Sequence, residues 1–277
     1  MKNFIIDKEK CISCGLCVKD CSTAALSLDS ENKPTIIDSR CMECQHCLAV
    51  CPTGAISILG KNPDLSEEVP IINSQEVLNT IKTRRSIRQF KNEDISEEMF
   101  EKLQNALNYV PTGRNNHNLL FSITKSRKET DVIRNYVRNE LLRRLKTFPF
   151  NLFVKKYARY IKLFEKGIDV IFRNAPHVVV ACSPKNAPCA DVDPIIALSY
   201  LELYANSLGL GTCWCGLAQY CFKPLPKLTS MFKIPKGYKP VYVMLLGVPD
   251  IKYKRMTQPN AYEFIDVKVS HLNDDGC

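Results

Sequence analysis

Eight of the fourteen cysteines in this chain of 277 residues lie in two motifs near its start. Residues 11–22 read CISCGLCVKDCS and residues 41–52 read CMECQHCLAVCP, so each motif has the spacing C-x2-C-x2-C-x3-C. Two-residue spacers bring successive thiolates around one corner of a compact metal–sulfur core, and the fourth cysteine points toward a second core. The spacing therefore predicts two iron–sulfur clusters.

The two motifs belong to an internal duplication with a shift of thirty residues, because CISCGLCVKDCSTAALSL aligns without gaps on CMECQHCLAVCPTGAISI. Duplicated motifs predict interlocked ligand sets. The predicted sets are Cys11, Cys14, Cys17 and Cys51 for one cluster and Cys41, Cys44, Cys47 and Cys21 for the other. The alternative is structural zinc, although zinc sites usually combine two C-x2-C units for each metal ion.

Residues 1–60 resemble the bacterial two-cluster ferredoxins, whose pattern they follow with one departure: Ser22 stands where that pattern has proline. The resemblance implies two [4Fe-4S] clusters. A unit of this size buries little apolar surface, so the clusters would also stabilise its fold.

A second group of chemically capable residues is TRRSIRQF at 83–90. Guanidinium groups and a hydroxyl suit a phosphate, a ribityl chain and the electron-rich edge of a flavin. A flavin is also the usual adaptor between one-electron clusters and substrates that take electrons in pairs. The alternative is that these arginines only compensate the dipole at a helix C-terminus.

Four segments in order over residues 73–277 resemble the nitroreductase family. They are RRSIR (84–88), PTGRNNHN (111–118), GLGTCWCGL (209–217) and GVPDIKYKRMTQP (247–259). The resemblance implies an FMN-binding α+β sandwich and an intertwined homodimer with two flavin sites at the interface. His117 replaces the family's glutamine and Asn118 its proline, which bears on substrate preference.

The resemblance also implies roles for individual residues. Arg84, Arg85, Ser86 and Arg88 would hold the phosphate, ribityl and pyrimidine parts of FMN, and Lys254 and Arg255 would close on the phosphate. Thr112, Gly113, Asn115 and His117 lie in the segment that would reach the flavin from the partner subunit. The backbone at Cys215 and Gly216 would lie beside the reactive ring nitrogen. The flavin does the chemistry in this family, so we predict no catalytic acid or base.

The periodicity of the chain predicts an α+β fold in two domains. The ferredoxin-like domain spans 1–60, a linker with two prolines spans 61–72, and the flavin domain spans 73–277. We expect a helix capped by Asn73, a helix over about 97–110 capped by Ser96, and basic amphipathic helices to about 172. A strand near 121–124, buried strands at 177–183 and around 240–248, and a core helix from Pro194 to Gly209 complete the prediction.

The amino-acid composition limits the classes of protein to which this chain can belong. The chain has 45% hydrophobic and 24% charged residues, without a long apolar run or a signal-like start, which predicts a cytoplasmic protein with no membrane segment. The net charge is +9, and the stretch 134–166 is rich in Lys and Arg. We interpret that stretch as the solvated face of helices, and no motif supports nucleic-acid binding.

The sequence thus predicts an FMN-dependent oxidoreductase in which two [4Fe-4S] clusters relay electrons to the flavin. A nitroaromatic, quinone or similar small molecule would be the acceptor, and a ferredoxin-like protein or NAD(P)H the low-potential donor. The alternative is an electron carrier or redox sensor that docks a protein through its basic stretch and has no small-molecule substrate. Two further alternatives, both enzymes of the same fold, are a reductive dehalogenase and a double-bond reductase.

Overall fold

The computed structural model describes residues 2–145, 163 and 165–267. In its first sixty residues the duplication is visible as two short helices and two small antiparallel ribbons, β1 with β4 and β2 with β3. Helices α1 and α2 each follow a residue with left-handed backbone, Gly15 (φ 71°) and Gln45 (φ 61°), which are thirty positions apart. The elements are β1 (Ile5–Ile6), α1 (Leu16–Lys19), β2 (Leu26–Leu28), β3 (Pro34–Ile36), α2 (His46–Ala49) and β4 (Ile56–Ser57).

The start of the following segment packs on this duplicated unit. Asn62 caps a short 3-10 helix, Pro63–Leu65, by accepting a hydrogen bond from the backbone N–H of Asp64. The Asp64 carboxylate lies 3.3 Å from the ammonium of Lys10. Residues 62–65 are therefore attached to the unit that precedes them.

The rest of the chain forms a mixed structure around one antiparallel sheet with the strand order β5-β6-β8-β7. Its elements are α3 (Ser74–Thr83), α4 (Glu97–Leu107), β5 (Leu120–Ile123), α5 (Arg127–Leu145), β6 (His177–Pro184), α6 (Asp193–Ser207), β7 (Gly211–Trp214), α7 (Gly216–Cys221), α8 (Lys227–Met231) and β8 (Tyr238–Gly247).

Both predicted helix caps are confirmed. The side chain of Asn73 accepts from the backbone N–H of Gln75 at the start of α3, and Ser96 accepts from Met99 at the start of α4. A side-chain oxygen at this position satisfies one of the backbone N–H groups that the first turn leaves free. The predicted strands correspond to β5, β6 and β8, and the core helix corresponds to α6.

The central strands are buried on both faces, as their continuous apolar runs predict. Successive side chains of a strand point to opposite faces. In β6, Val178 and Val180 join a core with α5, α7 and α8, whereas Val179 and Ala181 join a core with α4 and α6. The same alternation in β8 places Val243 in the first core and Met244 in the second.

A buried histidine joins the sheet to the segment before α4. His177 has no exposed surface; its ring accepts a hydrogen bond from the backbone N–H of Ile95 and donates one to the carbonyl of Thr124, both at 3.0 Å. Burial lowers the pKa of His177. The imidazole is therefore a neutral structural group.

The helices of the second half of the chain differ in part from the sequence predictions. The first of the predicted basic helices is α5, and the part of that prediction within 146–162 and 164 lies outside the described residues. The predicted end at about 172 is wrong, because residues 166–172 form turns and irregular backbone. The short helices α7 and α8 were not predicted. No helix among the described residues has the length and apolar character needed to cross a membrane.

Candidate functional site

The eight motif cysteines surround two separate cavities. One cavity is lined by Cys11, Cys14, Cys17 and Cys51, and the other by Cys21, Cys41, Cys44 and Cys47. Each cavity thus takes three cysteines from one motif and the fourth from the other. Among the described residues no three His, Cys, Asp or Glu side chains are grouped to hold a single metal ion. The thiols instead enclose spaces, and a four-thiol lining suits a cluster with four iron atoms.

The fourth cysteine of each motif has the same surroundings. The Sγ of Cys21 accepts from the backbone N–H of Ala25 at 3.3 Å, and the Sγ of Cys51 accepts from Ala55 at 3.2 Å. Burial acts to raise the pKa of both thiols, but hydrogen bonds from backbone N–H groups and a threonine hydroxyl outweigh it and lower the pKa. Donors aimed at sulfur stabilise the thiolate, which is the form that ligates iron.

The arginine-rich segment follows the end of α3. Arg84 is the C-terminal cap of that helix, and its guanidinium lies 3.2 Å from the Glu202 carboxylate on α6. Its side chain is 36% exposed, against 8% for Glu202. A guanidinium has five N–H donors. Arg84 can therefore keep this contact and still donate to an anion on its exposed side.

Glu202 joins this segment to β7. Its other contacts are the Thr212 hydroxyl at 3.3 Å and the indole N–H of Trp214 at 2.9 Å. The backbone adds a second connection: Ser86 forms a parallel bridge with Thr212, whose carbonyl accepts from Ile87 at 2.8 Å. The buried carboxylate therefore holds two predicted flavin-binding segments against each other.

The other two arginines have different surroundings. Arg85 donates to the carbonyls of Lys82 and Arg84 at 2.7 and 2.6 Å. Those are carbonyls at a helix C-terminus, so in this structure Arg85 compensates the helix dipole. Arg88 is exposed. Burial raises the pKa of the nearby Cys213 thiol, and the positive charge of Arg88 partly opposes that rise.

The segment 112–118 is a tight loop of unusual backbone conformation. Arg114, Asn115 and His117 have positive φ values of 56°, 53° and 45°. Non-glycine residues adopt this region at a cost of about 1 kcal/mol or more each. The loop is held by its own polar groups: Thr112 Oγ1 accepts from the backbone of His117 at 3.0 Å, and Asn115 Oδ1 lies 2.9 Å from Nε2 of His117.

Gly113 fixes the start of this loop to α6. Its N–H donates to both carboxylate oxygens of Asp193, at 3.1 and 3.0 Å. A Cβ at this position would lie 2.6 Å from the Sγ of Cys189, which is far inside contact distance. The close approach therefore requires glycine.

Cys215 and Gly216 lie where β7 passes into α7. Burial raises the pKa of the Cys215 thiol to about 11, and its Sγ donates to the carbonyl of Ile171 at 3.1 Å. The thiol is thus neutral and directed into the core. The backbone N–H of Cys215 donates to the carbonyl of Val243 at 2.9 Å, and its carbonyl accepts from Gln219 at 3.1 Å. Gly216 is the first residue of α7, where a backbone N–H has no partner within the helix. A Cβ on Gly216 would lie 3.2 Å from the Tyr242 hydroxyl, so the backbone is tightly seated.

The remaining basic pair follows a segment that is hydrogen-bonded to the end of TRRSIRQF. Phe90 forms a bridge with Pro249, and the backbone N–H of Asp250 donates to the carbonyl of Gln89 at 2.9 Å. Lys254 and Arg255 are exposed and lie in a bend four and five residues after Asp250.

Two halves of the predicted flavin site lie at different places along α6. Arg84 contacts Glu202, whereas Gly113 contacts Asp193, the first residue of the helix. Nine residues at a rise of 1.5 Å separate these anchors by about 14 Å along the axis. Beside the second half, Thr112 and His117 line a cavity of about 360 Å³ between α4 and β5, together with Gln104, Asn108 and Phe121.

Sequence reasoning missed the residues that hold these segments in place. Glu202 and Asp193 are acidic residues on a largely apolar helix, and each is buried. An isolated carboxylate on a core helix is a signal, because buried charges occur with partners. Met42 was also missed: its carbonyl accepts a hydrogen bond from Asn115 at 3.2 Å, which joins the cysteine-rich unit to the loop.

Comparison with known proteins gives two family matches. Residues 81–248 match the model of the nitroreductase family, and residues 10–55 match a 4Fe-4S dicluster domain. No curated protein matches the chain.

Solved structures share the fold. A nitroreductase with bound FMN from Desulfitobacterium hafniense is 24% identical, with a TM-score of 0.56, over 71% of this chain and 100% of its own. A nitroreductase with bound FMN from Bacteroides fragilis is 20% identical, with a TM-score of 0.55, over 69% and 99%. An FMN-dependent nitroreductase from Clostridium difficile is 19% identical, with a TM-score of 0.52, over 70% and 100%. At these identities the likeness establishes the fold.

Proposed function

The chain belongs to the nitroreductase family and carries a 4Fe-4S dicluster domain at its N-terminal end, and from this we propose that it is an iron–sulfur flavoprotein oxidoreductase. Two [4Fe-4S] clusters relay electrons to FMN, and a nitroaromatic, quinone or similar small molecule is the final acceptor. The observation that carries the proposal is the pair of four-cysteine cavities in the same chain as the nitroreductase-type domain. FMN is also bound in solved structures of the same fold.

The described residues fit both groups. Each cavity offers four thiols, and the fourth cysteine of each motif receives a backbone donor. Arg84 keeps donors free for an anion while Glu202 fixes its position. The N–H of Gly216, at the start of α7, has no partner within the helix and can donate to a ring edge. When bound, FMN supplies states stable at zero, one and two electrons, which connect cluster chemistry to two-electron acceptors.

In this proposal the chain's own residues bind the flavin, orient it and exclude water from it. Arg84, Ser86, Arg88 and the backbone at 215–216 hold one side of the flavin, with Arg85 at the helix end, and Lys254 and Arg255 close on the phosphate. Thr112, Gly113, Asn115 and His117 approach from the partner subunit. A homodimeric sandwich accounts for the separation of about 14 Å along α6, because two chains can bring opposite ends of their helices together. The exposed apolar side chains of Tyr262, Phe264 and Ile265 also favour a partner that covers them.

We further propose domains at 1–60 and 73–277 with a linker at 61–72, a cytoplasmic location, and a ferredoxin-like protein or NAD(P)H as donor. The test is an analysis of one anaerobically purified sample for iron, acid-labile sulfide and flavin. About eight iron and eight sulfide per chain are expected for two four-iron clusters, with one FMN. Zinc in place of iron would make the N-terminal unit structural, and iron without flavin would leave an electron carrier without a substrate of its own.

A further inference from the structure

One hydrogen bond connects a cluster-binding loop directly to the flavin-domain loop 112–118. The Nδ2 of Asn115 donates to the carbonyl of Met42 at 3.2 Å. Met42 directly follows Cys41, which lines the cavity formed with Cys21, Cys44 and Cys47. We call this cavity the near cluster site and the cavity of Cys11, Cys14, Cys17 and Cys51 the far cluster site.

The internal duplication provides a comparison between the two sites. The residue equivalent to Met42 is Ile12, thirty positions earlier. Met42 is half-buried, whereas Ile12 is 63% exposed and lines the far cluster site with two further exposed residues, Leu16 and Leu28. A symmetric unit is therefore attached to the flavin domain at one end and open to solvent at the other.

Asn115 is suited to this attachment by its own conformation. Its backbone has φ 53°, a region that asparagine adopts more readily than most residues. Its Oδ1 lies 2.9 Å from Nε2 of His117, which fixes the direction of the amide. The Nδ2 donor then faces Met42. The hydrogen bond is thus built into the strained loop and does not depend on a mobile surface side chain.

We propose that the Asn115–Met42 contact docks the near cluster site on the flavin domain, so that electrons enter at the far cluster site and leave for FMN from the near one. Asn115 is then a positioning residue for electron transfer. The inference rests on the proposed function. An external one-electron donor such as a reduced ferredoxin would reduce the cluster held by Cys11, Cys14, Cys17 and Cys51, and the cluster at the near cluster site would pass each electron on to the flavin. Two electrons, with protons from water, would reduce the flavin fully.

The test compares Asn115→Asp with Asn118→Asp in the holoprotein. Asn115→Asp keeps the side-chain size, tolerates the same backbone conformation and retains an oxygen toward His117, but removes the donor to Met42. Asn118→Asp introduces the same charge in the same loop on an exposed side chain. Each protein is mixed anaerobically with photoreduced ferredoxin, and cluster and flavin absorbance are followed in time. Hydrogen exchange of residues 40–46 measures docking independently of turnover.

We expect Asn115→Asp to contain both clusters and to reduce them at the wild-type rate. Its flavin reduction is measured per bound FMN, because Asn115 also belongs to the loop proposed to approach the flavin. It should reduce the flavin about tenfold more slowly, the factor that corresponds to one net hydrogen bond. Exchange at 40–46 should rise in Asn115→Asp and not in Asn118→Asp. Equal flavin reduction and equal exchange in the two variants would overturn the inference. Unchanged exchange at 40–46 in Asn115→Asp would also overturn it, whether or not FMN is lost, because the contact would then not dock the near cluster site. If wild-type flavin stays oxidised while its clusters reduce, the proposed function itself fails.

Discussion

Glu202 gives the sharpest test of how the flavin-binding segments are held together. Replacing it by glutamine keeps the shape of the side chain but removes the charge that faces Arg84, Thr212 and Trp214. Hydrogen bonds to charged groups contribute about 1.5–3 kcal/mol each and neutral ones about 1. The Arg84 contact is discounted because that side chain is 36% exposed. The hydrogen bonds from Thr212 and Trp214 then change from charged to neutral acceptors. Together these two changes lower the free energy of unfolding by about 2 kcal/mol.

The assay uses the single tryptophan of the chain, Trp214, whose indole donates to Glu202. Its fluorescence reports urea unfolding of this region, and at an m-value of about 2 kcal/mol/M the midpoint should fall by about 1 M. The matched control is Glu101→Gln on α4, an exposed glutamate, for which we expect a change below about 0.5 kcal/mol. Glu202→Gln should also release FMN at lower urea than wild type. A midpoint equal to that of Glu101→Gln would show that the charge of Glu202 does not stabilise this region.

Three further predictions concern other parts of the chain. Cys51→Ser should lower the iron content from about eight to about four atoms per chain. The double variant Cys11→Ser/Cys51→Ser should lose no more iron, because both cysteines belong to one predicted ligand set, whereas Cys11→Ser/Cys21→Ser should lose both clusters. Equal iron losses from the two double variants would contradict the interlocked sets. Burial lowers the pKa of His177 in the folded state, so below the ordinary histidine pKa of 6.5 the unfolded state binds more protons than the folded state. The stability advantage of wild type over His177→Gln should therefore shrink from pH 6.5 to 5, by up to about 1.4 kcal/mol per pH unit. A pH-independent difference between the two proteins in urea unfolding would contradict this. Gly113→Ala should lower the free energy of unfolding by about 1–3 kcal/mol, because the added Cβ would contact Cys189. Adding Cys189→Ala to the same chain should restore part of that stability. If the double variant is no more stable than Gly113→Ala alone, this contact is not the cause.

Much of the fold follows from local signals in the sequence. Side-chain caps at Asn73 and Ser96 and the continuous apolar runs of β6 and β8 depend on neighbouring residues, and the structure confirms them. The cysteine spacing likewise depends on a short segment and its repeat. These features could be predicted because each is determined within a few residues.

The contacts that organise the candidate site are long-range and could not be predicted in the same way. Arg84 meets Glu202 across 118 positions, and Asn115 meets Met42 across 73. Nothing in RRSIR distinguishes Arg84, which faces a buried carboxylate, from Arg85, which donates to the carbonyls of its own helix end. The topology decides between them, because only the packing of α3 on α6 brings Glu202 to Arg84.

The proposed function requires the clusters to deliver electrons to the flavin. The most direct measurement mixes the anaerobic holoprotein with photoreduced ferredoxin and follows cluster and flavin absorbance, with a nitroaromatic compound added afterwards. We expect the clusters to be reduced first, the flavin to follow, and the nitroaromatic to reoxidise both. Reduced clusters beside a flavin that stays oxidised, while NADPH reduces that flavin quickly, would contradict the proposed function.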